Sequence, residues 1–156
     1  MSLFEILTII ISLAAFVCSI IAIILANKSS TSSNEIALRS FIEQTRNNYV
    51  SQAAMIAPLI SKESNNSLSS EDRSTLTILR SNFKASVESW LNAYEEACAK
   101  YLDKKTDRVR FKKQYREEIK ALVESKDSCI SCFFDPIKSR YKAILKVYKE
   151  WEDLEK

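Results

Sequence analysis

The sequence predicts an all-α protein, a single N-terminal transmembrane helix followed by a helical bundle of about four main helices. Three observations carry this. Residues 6–26, ILTIIISLAAFVCSIIAIILA, hold no charged side chain, and at 1.5 Å rise per residue they cover roughly 32 Å, about one bilayer hydrocarbon core. The remainder of the 156-residue chain repeats its apolar residues at the period of amphipathic helices and nowhere alternates them as strands would. Breaks rich in Ser, Asn and Asp separate these runs, as helix caps and turns require. The organisation that follows is an anchor over residues 1–27, a linker over 28–34 and a bundle domain over 35–156.

Within the span, the small and weakly polar residues Thr8, Ser12, Ala15, Ser19, Ala22 and Ala26 fall on one line, at spacings of 4, 3, 4, 3 and 4. This is a heptad seam, and Ala14 and Cys18 broaden it. Leu, Ile and Phe fill most of the remaining circumference. In lipid no hydrophobic drive brings helices together, so close approach through small side chains and hydroxyl bonds does so instead. The stripe therefore predicts self-association, and in a large ring it would turn its hydroxyls toward a central lumen. The plainer alternative is that the hydroxyls only bond back to their own helix carbonyls.

All 23 Lys and Arg lie at or beyond Lys28. By the positive-inside rule this places the C-terminal domain in the cytoplasm and the N-terminus outside. Residues 1–5 lack the basic start of a cleaved signal, so an anchor is expected rather than a leader cut after Ala26. Beyond the anchor the chain is mildly basic, which suits a domain lying beside anionic lipid and does not by itself argue for nucleic acid.

The chain has no Gly and no His. Without Gly there is no phosphate-cradling loop or dinucleotide fingerprint. Without His there is no Ser-His or Cys-His nucleophile pair and no ordinary His-containing zinc site. No enzyme activity, cofactor, metal or small-molecule substrate is expected.

Residues 28–34, KSSTSSN, read as a polar joint, with Ser33 or Asn34 as the next N-cap; Ser does not forbid a helix continuing through this run, but its local side-chain bonds favour a break. From Glu35 to about residue 60, Leu38, Phe41, Ile42, Tyr49, Ala53, Ile56 and Leu59 mark one amphipathic helix, which Pro58 should end or kink. Residues 61–70 are a polar loop closing on a capping box, Ser69 with Asp72. The next helix runs over about 71–103, with Leu76, Leu79, Phe83, Val87, Trp90, Tyr94, Cys98 and Tyr101 on its stripe. After the turn 104–107, a helical segment over 108–125 buries Phe111, Tyr115, Ile119 and Leu122. Asp135-Pro136 has the form of an N-cap followed by proline at the first helical position. The last helix, about 136–154, then buries Ile137, Tyr141, Ile144, Tyr148 and Trp151.

Two further patterns bear on chemistry. Cys129-Ile-Ser-Cys132 is a CxxC, which serves redox or zinc chemistry only with a βαβ setting or further ligands that this chain lacks, so small buried or part-buried residues are expected. Residues 104–116 hold seven basic side chains, and Lys104, Arg108, Lys112 and Arg116, four apart, would share a face able to contact RNA phosphates or lipid headgroups. Its plainer reading is the solvated side of an amphipathic helix.

A one-pass anchor followed by a small cytoplasmic bundle resembles the membrane-anchored, HEPN-like accessory proteins of type VI-B CRISPR-Cas systems. HEPN ribonucleases carry Arg, often followed by a polar residue, with four to six residues between that Arg and a His. Arg46-Asn47 matches the opening, but the His positions hold Ser51, Gln52 and Ala53. Arg140 is followed at the same distances by Leu145, Lys146 and Val147. The resemblance implies a ring-shaped membrane pore that perturbs the inner membrane after a partnered RNA-guided RNase has cut viral transcripts. It implies as partners a second copy of the chain, membrane lipid, and that RNase or its RNA products. The alternatives are a membrane-tethered adaptor and a degenerate HEPN ribonuclease acting through Arg46 or Arg140.

Overall fold

The computed structural model describes residues 3–135 and 137–153. These are helical throughout, with no strand among them. The first helix, α1, runs unbroken over Leu3–Ser64, 62 residues, roughly 93 Å at the standard rise. The Ser-rich segment 28–34 is thus part of the helix and not a joint, and neither Ser33 nor Asn34 caps anything. Ser and Thr break a helix only when their side chains satisfy the backbone in some other conformation. Here the Thr31 hydroxyl donates to the Asn27 carbonyl inside the helix, at 3.0 Å.

The helix also continues through Pro58. Its last turns are held from outside, where Lys62 pairs with Asp72 at 3.2 Å and Glu63 pairs with Arg80. The chain leaves the helix at Asn66, whose φ is 53°. The Asn66 N–H bonds the Glu63 carbonyl and the Ser67 N–H bonds the Lys62 carbonyl, at 3.0 and 2.9 Å. This is a Schellman ending with Asn in the left-handed position that Gly usually takes.

The second helix, α2, covers Ser70–Leu102 and starts from the expected capping box. The Asp72 N–H donates to Ser69 Oγ at 3.0 Å, and the Ser69 N–H reaches Asp72 Oδ2 at 3.4 Å. It runs back along α1 and ends in a second Schellman motif, with Lys104 at φ 59°. There the Lys105 N–H bonds Lys100 O at 2.9 Å and the Lys104 N–H bonds Tyr101 O at 3.1 Å. Lys104 therefore lies in the turn and is not on the helical face expected for it.

Helix α3, Arg108–Val123, is capped by Asp107, whose carboxylate accepts from the Val109 and Arg110 N–H groups, both at 3.0 Å. A single turn, α4, covers Ser128–Ser131 with Asp127 as its cap. The last helix, α5, covers Lys142–Asp153 and so begins later than the 136 that Asp135-Pro136 implied. Asp135 does accept from the Ile137 and Lys138 N–H groups, at 2.8 and 3.0 Å, but the turn it caps goes no further. Pro136 lies outside the described residues.

The core sits between α2, the second half of α1, α3 and α5. Phe111, Tyr115, Ile119 and Leu122 are all buried as expected. So are Leu38, Ile42 and Ile56 of α1, Leu76, Val87, Tyr94, Cys98 and Tyr101 of α2, and Tyr141, Ile144 and Trp151. Tyr49, Ala53, Leu59, Leu79, Phe83, Trp90 and Tyr148 are half-buried. Two expectations fail. Phe41 is 40% exposed because it lies to one side of the Leu38–Ile42 line, and Ile137 is 87% exposed because it belongs to the turn before α5 and not to that helix. Rings connect across the bundle: Tyr49 stacks on Trp90 with centroids 5.0 Å apart, Tyr94 meets Tyr115 edge-on, and Trp151 meets Tyr101 edge-on.

Candidate functional site

The apolar part of α1 has an 18-residue window of mean hydropathy 2.6, and none of that window is buried in the chain. It is long and apolar enough to cross a membrane. Thr8, Ser12, Ala15, Ser19, Ala22 and Ala26 are all exposed along it. Two of their hydroxyls are already satisfied locally, Thr8 donating to Phe4 O and Ser19 to Ala15 O, each at 2.9 Å. What this face offers a neighbour at those two positions is small size and close approach more than free hydrogen bonds.

Because α1 does not break, the line continues out of the apolar stretch. Ser30, Ser33, Ala37, Ser40, Gln44, Asn48, Ser51 and Met55 extend it in helical register, and every one is exposed. The charged residues of the same length, Lys28, Glu35, Arg39, Glu43 and Arg46, fall on another flank. From Thr8 to Met55 one exposed line of the helix carries no charge. The face that packs on α2 is a third one, built on Leu38, Ile42, Thr45, Tyr49 and Ile56.

The charged flank meets α3. Arg39, Glu43 and Arg46 line a crevice with Gln114, Tyr115, Tyr94 and Glu118. The Tyr94 hydroxyl donates to Glu118. Burial, reinforced by that bond, pushes the Tyr94 phenol far above its ordinary range, while Arg46 pulls in the opposite direction. Alongside lies a mostly apolar cleft of about 320 Å³ between Arg46, Tyr49, Trp90, Tyr94, Glu118 and Ile130. The Trp90 indole N–H is buried there and finds no partner among the described residues.

Arg140 sits elsewhere. Its guanidinium donates to Glu88 at 3.0 Å and to the Tyr141 hydroxyl at 2.9 Å, tying the segment before α5 to α2. Asn47, beside Arg46, is exposed.

No family model, curated protein or solved structure matches this chain.

The basic run is divided by its partners. Arg108 pairs with Glu150 and lies over the Tyr101 ring, 4.6 Å from its centroid. Arg116 and Lys120 both reach Glu152, at 3.4 and 3.3 Å. Although burial alone would raise the Glu152 pKa, the bonds from Lys120 and Arg116 hold it below the usual carboxylate range. These pairs clamp α3 to α5. Lys112 is half-buried, and it makes no ion pair among the described residues.

Cys129 and Cys132 are exposed rather than buried, since α4 is a single surface turn. Burial of its sulfur and the adjacent Asp127 carboxylate raise the Cys129 thiol pKa, the opposite of what a reactive redox cysteine needs. Among the described residues no group of three or more His, Cys, Asp or Glu could hold a metal.

Two functional carboxylates escaped the sequence reading. Glu35 of α1 accepts from the Asp107 N–H at 2.8 Å and pairs with Arg110 at 3.5 Å. Glu95 of α2 accepts from the first amides of α5. Each caps a helix remote in sequence, and no local pattern announces such a bond.

Proposed function

We propose that the protein is a single-pass inner-membrane protein that assembles through α1 into a homo-oligomeric pore or pore-like effector, with its N-terminus outside and its bundle in the cytoplasm. The observation that carries this reading is the uncharged line from Thr8 to Met55. From Lys28 to Met55 the five charged residues of α1 all fall on the other side of the helix, so one exposed side stays clear of charge in register with the small-residue line of the span. A repeated helix contact of this kind closes into a ring when its rotation closes. The resemblance to the HEPN-like accessory proteins of type VI-B CRISPR-Cas systems extends the reading to antiviral defence, downstream of an RNA-guided RNase. It rests on architecture, and neither Arg46 nor Arg140 enters it as a catalytic group, Arg140 tying the segment before α5 to α2.

Mass photometry of the full chain in detergent tests the assembly: a discrete multimer is expected, and a monomer at every concentration overturns the pore. Reporters fused after Lys156 test the topology, and one that works only in the cytoplasm should be active. A second reading, a tethered adaptor, is favoured by the mostly apolar cleft beside Trp90, which offers an aromatic wall to a partner's side chain. An adaptor can function as a monomer, so the same measurement separates the two.

A further inference from the structure

The unbroken α1 fixes the height of the bundle above the end of the apolar span. Asn27 and Glu35 are eight residues apart on one helix, roughly 12 Å, and a bilayer's headgroup layer occupies about half of that distance. Glu35 holds the turn between α2 and α3 at this level through its bonds to the Asp107 N–H and to Arg110. Arg110 and Phe111 also close a small cleft with Ser32, lower still on α1. The bundle thus presents the turn 103–107 and the start of α3 toward the end from which the span emerges.

The side chains at that end are basic and apolar. Lys104, Lys105, Arg110 and Lys113 are exposed, as are Val109 at 81% and Ile36 at 68%. The acids among them are occupied: Asp107 by the α3 amides, Glu35 by Asp107 and Arg110, Glu150 by Arg108, and Asp103 by Lys105. Lys104 and Lys113 make no ion pair among the described residues. A bare valine between two arginines suits an interface whose outer layer is anionic and whose inner layer is oil.

We propose that the α2–α3 turn is a footing on anionic lipid, with Lys104, Lys105, Arg110 and Lys113 facing headgroup phosphates and Val109 entering the interface. This rests on reading α1 as the membrane anchor, and it adds a surface that the anchor does not require. Each such cation lies within about one Debye length of the headgroups, so the contact is sensitive to salt.

The test is amide hydrogen exchange of the full chain in nanodiscs, of phosphatidylcholine alone and of phosphatidylcholine with phosphatidylglycerol. Peptides over 103–113 should exchange several-fold more slowly in the anionic discs at low salt. That difference should vanish at high salt, and also in the combined variant Lys104→Gln, Lys105→Gln, Arg110→Gln and Lys113→Gln. The control variant Lys138→Gln, Lys142→Gln and Lys146→Gln should retain it. Equal exchange in both discs overturns the footing while leaving the anchor intact, and failure to enter discs at all overturns the anchor instead. Protection of 103–113 by a single-stranded RNA oligonucleotide but not by phosphatidylglycerol reassigns the surface to RNA and also overturns the proposal.

Discussion

The Glu95 carboxylate of α2 accepts the backbone N–H of Ile144 in the first turn of α5, at 3.0 Å, and its other oxygen accepts that of Ala143 at 2.8 Å. The start of α5 has only a weak cap of its own, Ser139 Oγ accepting the Tyr141 N–H at 3.0 Å, so the first amides of the helix are satisfied across the interface. The same carboxylate suits the positive end of the helix dipole. Glu95→Ala should destabilise the bundle by about 1–2 kcal/mol, the usual loss for a removed cap. Glu95→Gln should recover part of that through its remaining carbonyl oxygen. Glu96→Ala, which removes only an exposed pair with Lys100, should cost under about 0.5 kcal/mol. Thermal unfolding followed by circular dichroism in detergent measures all three, and a loss from Glu95→Ala no larger than that from Glu96→Ala refutes the cap.

The line on α1 predicts an asymmetry between size and polarity. Since the Ser19 hydroxyl already bonds Ala15 O, Ser12→Ala with Ser19→Ala should leave oligomer size unchanged. Ser12→Leu with Ser19→Leu adds bulk at every interface, and a rise on the order of tenfold in the dissociation constant, about 1.4 kcal/mol, is expected. Ala37→Glu should disperse the assembly from the bundle half of the same line. Ile10→Leu with Ile21→Leu, off the line, should change nothing. Light scattering of all four in one detergent decides, and equal behaviour of the Leu pairs removes the basis for the ring.

Two residues take the left-handed conformation with a side chain in the way. For Lys104 this costs about 1–2 kcal/mol, and Gly would relieve it while adding about 0.5–1 kcal/mol of unfolded-state freedom. Lys104→Gly should therefore stabilise by about 0.5–1 kcal/mol, seen as a higher melting midpoint in zwitterionic detergent. Asn66→Gly should do almost nothing, because Asn tolerates that region. A lower melting midpoint for Lys104→Gly contradicts the strain argument.

Alkaline pH should destabilise the domain through the tyrosines whose phenols the fold pushes up. Burial pushes up the phenols of Tyr49, Tyr94, Tyr115 and Tyr141 from their ordinary 10.0, and the hydrogen bond to Glu124 takes Tyr148 up to about 12. A folded pKa above the unfolded one gives stability that is complete below pH 10 and is lost as pH rises through the folded value. The melting midpoint should fall steadily above pH 10. Tyr94→Phe should make the fall shallower. A midpoint that stays flat above pH 10, or an equal fall in Tyr94→Phe, would contradict this account.

Local chemistry was enough to settle much of the fold. The uncharged apolar run, the Ser69–Asp72 box and the Phe111–Tyr115–Ile119–Leu122 face are each determined by residues within a turn or two of one another, so the sequence alone specifies them. The unbroken α1 was not settled by the sequence, because Ser and Thr serve equally well as caps or as helix residues that bond their own carbonyls, and in the structure Thr31 does the second. The true start of α5 depends on Glu95, 48 residues away from Ala143, and Asp135 looks like a cap whether or not a helix follows. The pairing of Arg108 and Arg116 with α5, which removes half of the apparent basic stripe, likewise exists only once the helices meet. Patterning determined which residues must hide from water, whereas the tertiary structure decided which carboxylates the cations and free amides would find. Those partners are brought together by the packing of separate helices, and nothing in the intervening chain encodes their distance.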